Sequence, residues 1–244
     1  MTPEIYEGIT LYNANCVDIL AKFPNDFFDL AIVDPPYGIG ADKPSKKPEL
    51  VKQRNGEYLK VKSASYSSKN WDNVPDIEYF NKLFRVSKNQ IVWGCNYFSH
   101  VNFKSGRIVW DKMNGLSDQY GCEIAYQSFN DRTDIVHYMW SGMFQGEKCS
   151  MRIEEAMRQQ GNKKLNEKRI HPTQKPVKLY KWLLTHFAKK GDKILDTHLG
   201  SGSSCIACHD LNFEMVGIEI DADFFNNARK RLMEHQAQKT LFRL

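Results

Sequence analysis

Asp34-Pro35-Pro36-Tyr37-Gly38 puts a carboxylate, a rigidly aimed main-chain carbonyl and an aromatic ring into one short stretch. An exocyclic aromatic amine, such as that of a nucleobase, is a poor nucleophile because its lone pair is shared with the ring. An enzyme that uses one must accept hydrogen bonds from both N–H groups and let the nitrogen pyramidalise. Asp34 supplies the first acceptor and the Pro35 carbonyl the second, Pro36 leaves no competing amide, and Tyr37 offers a flat face on which a base can stack. The plainer reading is a strand that ends in a proline turn beside an unrelated tyrosine.

A second constellation lies near the C-terminus: Asp196, then Gly200-Ser201-Gly202, then Glu219 and Asp221. Glycines let the backbone approach a ligand closely, and an acid about 20 residues further on can accept hydrogen bonds from both ribose hydroxyls. Glu219 fits that place. The dinucleotide fingerprint G-x-G-x-x-G/A fails at its third small position, where Cys205 stands, which disfavours a nicotinamide oxidoreductase. Cys205-Ile206-Ala207-Cys208-His209 matches a haem-attachment pattern or half a zinc site. It has no second ligand pair nearby and reads more simply as the small-residue face of a helix, so no metal is expected.

The elements that must position these groups can be read coarsely. Leu30 to Val33 is a short apolar strand that the prolines terminate, which sets Asp34 at a strand's end. Ile77 to Val86 has helical spacing. Gln90 to Trp93, Arg107 to Trp110, Cys122 to Ser128 and Ile135 to Trp140 read as strands. Pro176 to Lys190 is the clearest helix, closed by Gly191. After it come a strand over Lys193 to Leu195, a helix over Ser203 to Leu211, a strand over Met215 to Ile218 and a last helix from Asp223 to about Glu234. This alternation belongs to an α/β nucleotide site built at the carboxyl ends of parallel strands.

The 244 residues, 41% of them hydrophobic and 26% charged, form one large globular domain or a domain with an inserted lobe. No apolar run is long enough to span a membrane and no signal peptide is visible, so a cytoplasmic protein with reduced cysteines is expected. The net charge of +5 is concentrated. Lys43, Lys46, Lys47 and Arg54 fall in a basic stretch over residues 41–70 that reads as a mobile loop. Lys163, Lys164, Lys168 and Arg169 form a second basic run ahead of His171. Together they suggest a polyanionic partner, although a solvated surface explains such runs as well.

With both constellations located, Asp34-Pro35-Pro36-Tyr37 and the stretch from Asp196 to Asp221 resemble the catalytic and cofactor motifs of S-adenosylmethionine-dependent amino-group DNA methyltransferases. The catalytic motif comes first, followed by a variable region, His171-Pro172-Thr173-Gln174-Lys175-Pro176 and the Gly-x-Gly loop. That order is similar to the circularly permuted β-group of these enzymes. The resemblance implies a Rossmann-like methyltransferase fold over residues 1–244, with a largely parallel sheet, helices on both faces and a target recognition region over about 112–168. It implies S-adenosylmethionine as methyl donor, S-adenosylhomocysteine as product and double-stranded DNA as substrate. The target base would be flipped out and methylated by direct in-line transfer, with neither a covalent intermediate nor a metal.

Carried over position by position, Asp34 to Tyr37 are catalytic and Asp196 reaches the methionine amino group, usually through water. Gly200, Ser201, Gly202 and Ser203 line the same moiety, Glu219 with Asp221 beside it holds the ribose, and Asn15 and Cys16 stand in the opening segment that contacts the adenine ring. Thr173, Gln174 and Lys175 match the segment whose N–H groups, at the start of a helix, hold the methionine carboxylate. Departures include Ala14-Asn15-Cys16 for the usual Gly-Asp-Cys, Thr197-His198 for a proline and an aromatic, and Ser203-Ser204 for threonines. Adenine N6 is preferred over cytosine N4 because the cytosine enzymes more often carry serine in place of Asp34. RNA or protein-amide methylation and a catalytically silent DNA binder are the remaining alternatives. Many relatives dimerise, and the compact length fits an orphan modifying enzyme of bacterial or phage type.

Overall fold

The protein's structure is a computed structural model that describes residues 2–43, 50–52, 56–60, 71–115, 120–141, 144–147, 149–150, 158–159 and 166–241. In chain order it has β1 (Glu4–Tyr6), β2 (Ile9–Asn13), α1 (Cys16–Leu20), β3 (Phe28–Val33), β4 (Leu50–Lys52), β5 (Tyr58–Lys60), α2 (Ile77–Val86), β6 (Ser87–Trp93) and β7 (Arg107–Asp111). Then come β8 (Cys122–Gln127), β9 (Thr133–His137), β10 (Met139–Ser141), β11 (Phe144–Gly146), β12 (Cys149–Ser150) and β13 (Arg158–Gln159). The chain closes with α3 (Val177–Phe187), β14 (Lys193–Asp196), α4 (Ser203–Leu211), β15 (Glu214–Glu219) and α5 (Ala222–Leu241).

Among the described residues, nine strands form one sheet in the order β1-β2-β15-β14-β3-β6-β8-β7-β9. The run from β2 through β15, β14 and β3 to β6 is parallel. Period-2 alternation sends successive residues of each central strand to opposite faces. Leu30, Ile32, Ile91, Trp93 and Ile194 pack with α3, α4 and α5, while Ala31, Val33, Val92 and Leu195 pack with α1 and α2. Helices therefore cover both faces, as a buried parallel sheet requires.

The strand order places the site. From β3 the chain crosses through α2 to β6 on one side, and from β14 it crosses through α4 to β15 on the other. Adjacent β3 and β14 thus form a topological switch point, where a crevice opens beyond the carboxyl ends of the strands. The register Ile194↔Leu30 and Leu195↔Ala31 brings Asp196 and Asp34 to that crevice together.

Local chemistry explains the boundaries. Asp76 caps α2 by accepting from the Tyr79 N–H, Asn15 caps α1 by accepting from the Val17 N–H, and Asn212 ends α4 in the left-handed conformation. Several expectations need correction. The stretch from Ile135 to Trp140 is two strands: β9 lies parallel to β7 at the edge of the main sheet, while β10 pairs with β11 in a separate hairpin. The α3 helix begins at Val177, so Thr173, Gln174 and Lys175 precede it. The basic stretch over 41–70 contains the antiparallel pair β4 and β5. The region from Lys112 contributes β8, which lies between β6 and β7 in the main sheet.

Candidate active site

The carboxyl ends of β3 and β14 open on a cavity of about 780 Å³. Asp34, Pro35, Pro36 and Tyr37 line it together with Thr173, Gln174, Lys175, Gly200, Ser201 and Glu219. The catalytic residues and half of the cofactor candidates, far apart in sequence, therefore share one chamber, while Asn15, Cys16, Asp196, Gly202, Ser203 and Asp221 do not line it.

Asp34 sits in a chain of charges. Its Oδ1 accepts a hydrogen bond from the Tyr37 hydroxyl at 2.6 Å, and its Oδ2 is 2.5 Å from Lys175 Nζ. Lys175 Nζ also lies 3.0 Å from Glu123 Oε2 and donates to Tyr37 Oη at 3.1 Å, while Lys112 Nζ is 2.5 Å from Glu123 Oε1. Burial alone would lower the Lys175 pKa, but the two carboxylates hold it above the ordinary lysine value. Glu123 touches both lysines. Burial works to raise its pKa, yet the lysines hold it down to about 2. Asp34 has only the shared lysine, so burial pushes its pKa up despite the Lys175 charge. Of the two carboxyls, Asp34 is the better base.

The loop after Asp34 is held by a residue that sequence reasoning passed over. The Asp72 carboxylate accepts from three backbone N–H groups, those of Tyr37, Gly38 and Ala41, at 3.0, 2.9 and 2.8 Å. The Tyr37 ring stacks on Tyr97 with centroids 5.0 Å apart, over Gly94, where an added Cβ would lie 2.1 Å from the ring. Only glycine leaves room for that tyrosine.

The second constellation behaves as a ligand cradle. Gly202 caps α4 in the left-handed conformation, φ 71°, turning the chain from the crevice into the helix. Glu219, at the end of β15, accepts from the Gly200 N–H at 2.8 Å and the Asp221 N–H at 2.9 Å, and burial raises its pKa. Asp196 lies behind the lining, accepting from the Ser204 hydroxyl at 2.6 Å and the His198 N–H at 3.0 Å. Burial lifts its pKa to about 7, and no ion pair reaches it among the described residues. A buried carboxyl without a cation beside it, next to a cavity that Glu219 also lines, matches a ligand carrying positive charge.

Other candidates land elsewhere. Ser203 is buried at the start of α4, its hydroxyl bonded to Ser201 and Arg231. Asp221 caps α5 through the N–H groups of Asp223 and Phe224. Asn15 spends its side-chain oxygen on the α1 cap, and burial pushes the Cys16 thiol up to about 12. Two of the N–H groups expected to hold a carboxylate have partners within the protein: that of Thr173 meets His171 Nδ1 at 3.3 Å and that of Gln174 meets the His171 carbonyl at 3.2 Å, while Glu167 closes the first turn of α3 at the Val177 N–H, 3.0 Å. The Lys175 side chain serves Asp34 and Glu123, two buried carboxylates that need a cation. Burial lowers the His171 pKa to about 4, and its ring packs on Phe224 at 4.2 Å beside Gly200.

Of the basic residues proposed for DNA, Lys46, Lys47, Arg54, Lys163 and Lys164 lie outside the described residues. Lys43 and Lys168 are exposed, while Arg169 lines the cavity over the Trp140 ring at 4.9 Å and donates to the Trp140 carbonyl. Trp93, Trp110 and Trp140 belong to the core, though the last two also show an edge to the cavity. No helix among the described residues is long and apolar enough to cross a membrane.

An α/β fold with an acid-lined cleft at the switch point defines the class: an enzyme that binds a nucleotide-like ligand at the ends of parallel strands. A family model described as DNA methylase, covering the N6 and N4 enzymes, matches residues 28–230. The chain belongs to that family and is an amino-group DNA methyltransferase, of the N6-adenine or N4-cytosine kind. The Type II methyltransferase M2.MboI of Moraxella bovis is 26% identical, the match covering 93% of this chain and 89% of that protein. M.HpaI of Haemophilus parainfluenzae is 24% identical over 90% of this chain and 72% of its own. Among solved structures, the M1.HpyAVI–SAM complex shares the fold with a TM-score of 0.55 at 20% identity, covering 92% of this chain and all of its own. The cytosine-N4-specific PvuII DNA methyltransferase does so at 0.51 and 12% identity, over 91% of this chain and 85% of its own.

Proposed function

We propose that the protein methylates the N6 amino group of adenine in double-stranded DNA, using S-adenosylmethionine. The observation that carries this reading is the meeting, in one cavity, of the Asp34–Tyr37 loop with Gly200, Ser201 and Glu219. Adenine is preferred because Asp34, not serine, occupies the acceptor position.

S-adenosylmethionine, when bound, supplies a methyl group already activated as a sulfonium. The residues that would hold it are Glu219 at the ribose, the Gly200–Gly202 backbone at the methionine part and, through water, the buried Asp196 at the ammonium end. The chain's own residues do the rest. Tyr37 stacks against a base swung out of the duplex, which must leave the helix for its amine to be reached. The amino nitrogen gains a methyl group and gives up one proton, which Asp34 takes, while the Pro35 carbonyl accepts the hydrogen bond from the second N–H. Lys175 keeps the Asp34 carboxylate oriented and anionic before the transfer. Tyr37 Oη and Lys175 occupy the Asp34 oxygens in the free protein, so an entering amine displaces the Tyr37 hydroxyl. Lys112, Tyr120 and Trp140 line the same cavity, and the region over about 112–168 to which they belong would carry target recognition.

The test is transfer of labelled methyl from S-adenosylmethionine to unmethylated genomic DNA, followed by mass analysis of the nucleosides. N6-methyladenine supports the proposal. N4-methylcytosine would retain the mechanism and replace the base, and unlabelled DNA alongside intact cofactor binding would overturn the DNA assignment.

A further inference from the structure

The Cys205-x-x-Cys208-His209 stretch plays no part in the active site, and the structure splits it in two. Both thiols are buried in the core, where burial holds their pKa values well above the ordinary thiol range, so neither is a ready metal ligand. His209 turns the other way, toward α5. Its Nε2 is 3.0 Å from the Glu7 carboxylate, while its Nδ1 is buried with no hydrogen-bond partner and lies 3.6 Å from Asp210 Oδ1. His235, reaching across from α5, brings its Nε2 to within 2.7 Å of the same oxygen. Lys181 of α3 takes the other oxygen, Oδ2, at 2.5 Å.

Donation from Nε2 to Glu7 leaves Nδ1 as the lone-pair nitrogen of His209. A lone pair then faces a carboxylate oxygen in a half-buried pocket, an arrangement that a cation between them relieves. Nδ1 of His209, Oδ1 of Asp210 and Nε2 of His235 all lie within 4.8 Å of one another. A tetrahedral zinc ion with bonds of about 2.0–2.1 Å sets its ligand atoms roughly 3.3 Å apart, and the separations of 2.7 and 3.6 Å straddle that value. Two imidazoles and one carboxylate suit Zn2+ rather than the oxygen-seeking Mg2+ or Ca2+.

We propose that His209, Asp210 and His235 bind a divalent zinc ion that pins α5 to α4. A water completes the coordination and Glu7 is the outer partner that orients His209. Three protein ligands and a water make a weaker, exchangeable site than a closed cysteine set. Lying roughly two helical turns along α4 from the Gly200–Gly202 loop, the ion takes no part in methyl transfer.

The test uses the whole protein, stripped with a chelator and titrated with Zn2+ by calorimetry, with Co2+ as the spectroscopic probe. One ion per chain is expected, with a rise in Tm that EDTA reverses and a tetrahedral Co2+ spectrum free of thiolate charge transfer. His235→Asn, which can still donate to Asp210, should abolish binding. Glu7→Gln should weaken it about 10–100-fold. Both variants should methylate DNA at the wild-type rate in EDTA. Thiolate bands would move the ion to the cysteines and overturn the proposal, as would undiminished binding by His235→Asn. The absence of both heat and Tm shift in the wild type would leave a hydrogen-bonded His–Asp cluster only and would equally overturn it.

Discussion

Lys175 is the residue whose position most changes the reading of the site. It is one ammonium between two buried carboxylates, Asp34 and Glu123. Lys175→Met should leave Asp34 without a cation, Glu123 keeping Lys112, and destabilise the protein by about 3–5 kcal/mol, measured by urea unfolding. In a variant that still folds, the Asp34 pKa should rise further and the acidic limb of the methyl-transfer pH profile should move to higher pH. Lys175→Arg, which keeps the charge, should restore most of the stability.

Asp196 gives a second prediction at the same scale. Burial raises its folded pKa from 3.8 to about 7, so between those values the folded state holds a proton that the unfolded chain has lost. Its contribution to stability therefore falls as pH climbs from about 4 to about 7 and levels off beyond that. A bound ammonium favours the ionised carboxylate. Below pH 7, S-adenosylmethionine binding should then release a proton, visible by calorimetry in buffers of different ionisation enthalpy. Asp196→Asn should remove that release.

At the scale of elements, what could be read in the sequence depended on whether the signal was local. The α2 and α4 helices have the bounds their spacing gives, and the prolines end β3 at Val33, because apolar periodicity and chain breakers act within a few residues. The two constellations were legible for the same reason. Asp72, Glu123 and Lys112 were not, because each works through partners far along the chain: Asp72 through the backbone of residues 37–41, Glu123 through Lys175. Nothing near Asp72 in the sequence marks it as the residue that shapes the catalytic loop. Asp72→Ala removes three hydrogen bonds to a carboxylate, each worth about 1.5–3 kcal/mol, so it should free that loop and lower methyl transfer by at least two orders of magnitude, with cofactor affinity little changed. Gly94→Ala pushes a Cβ into the Tyr37 ring, so it should cost transfer rate and stability together, read by single-turnover kinetics and thermal melting.

At the scale of the whole molecule, the parallel sheet makes one cleft out of segments that the chain keeps far apart. Asp34 and Asp196 are neighbours because β3 and β14 are, whichever motif comes first in sequence. Binding in that cleft ties β2, β3, β14 and β15 together, so S-adenosylmethionine at 100 times its Kd should add about 2.7 kcal/mol to stability. Glu219→Ala should remove most of the resulting Tm shift.

The measurement that bears most directly on the active site is labelled-methyl transfer to DNA by the wild type and by Asp34→Ala, with S-adenosylmethionine binding measured on both. The expected result is transfer by the wild type, a loss of about 100-fold or more in the variant, in line with removal of a positioned proton acceptor, and cofactor affinity that stays nearly the same. Transfer by Asp34→Ala at the wild-type rate would contradict the assignment of Asp34 as the group that receives the amine.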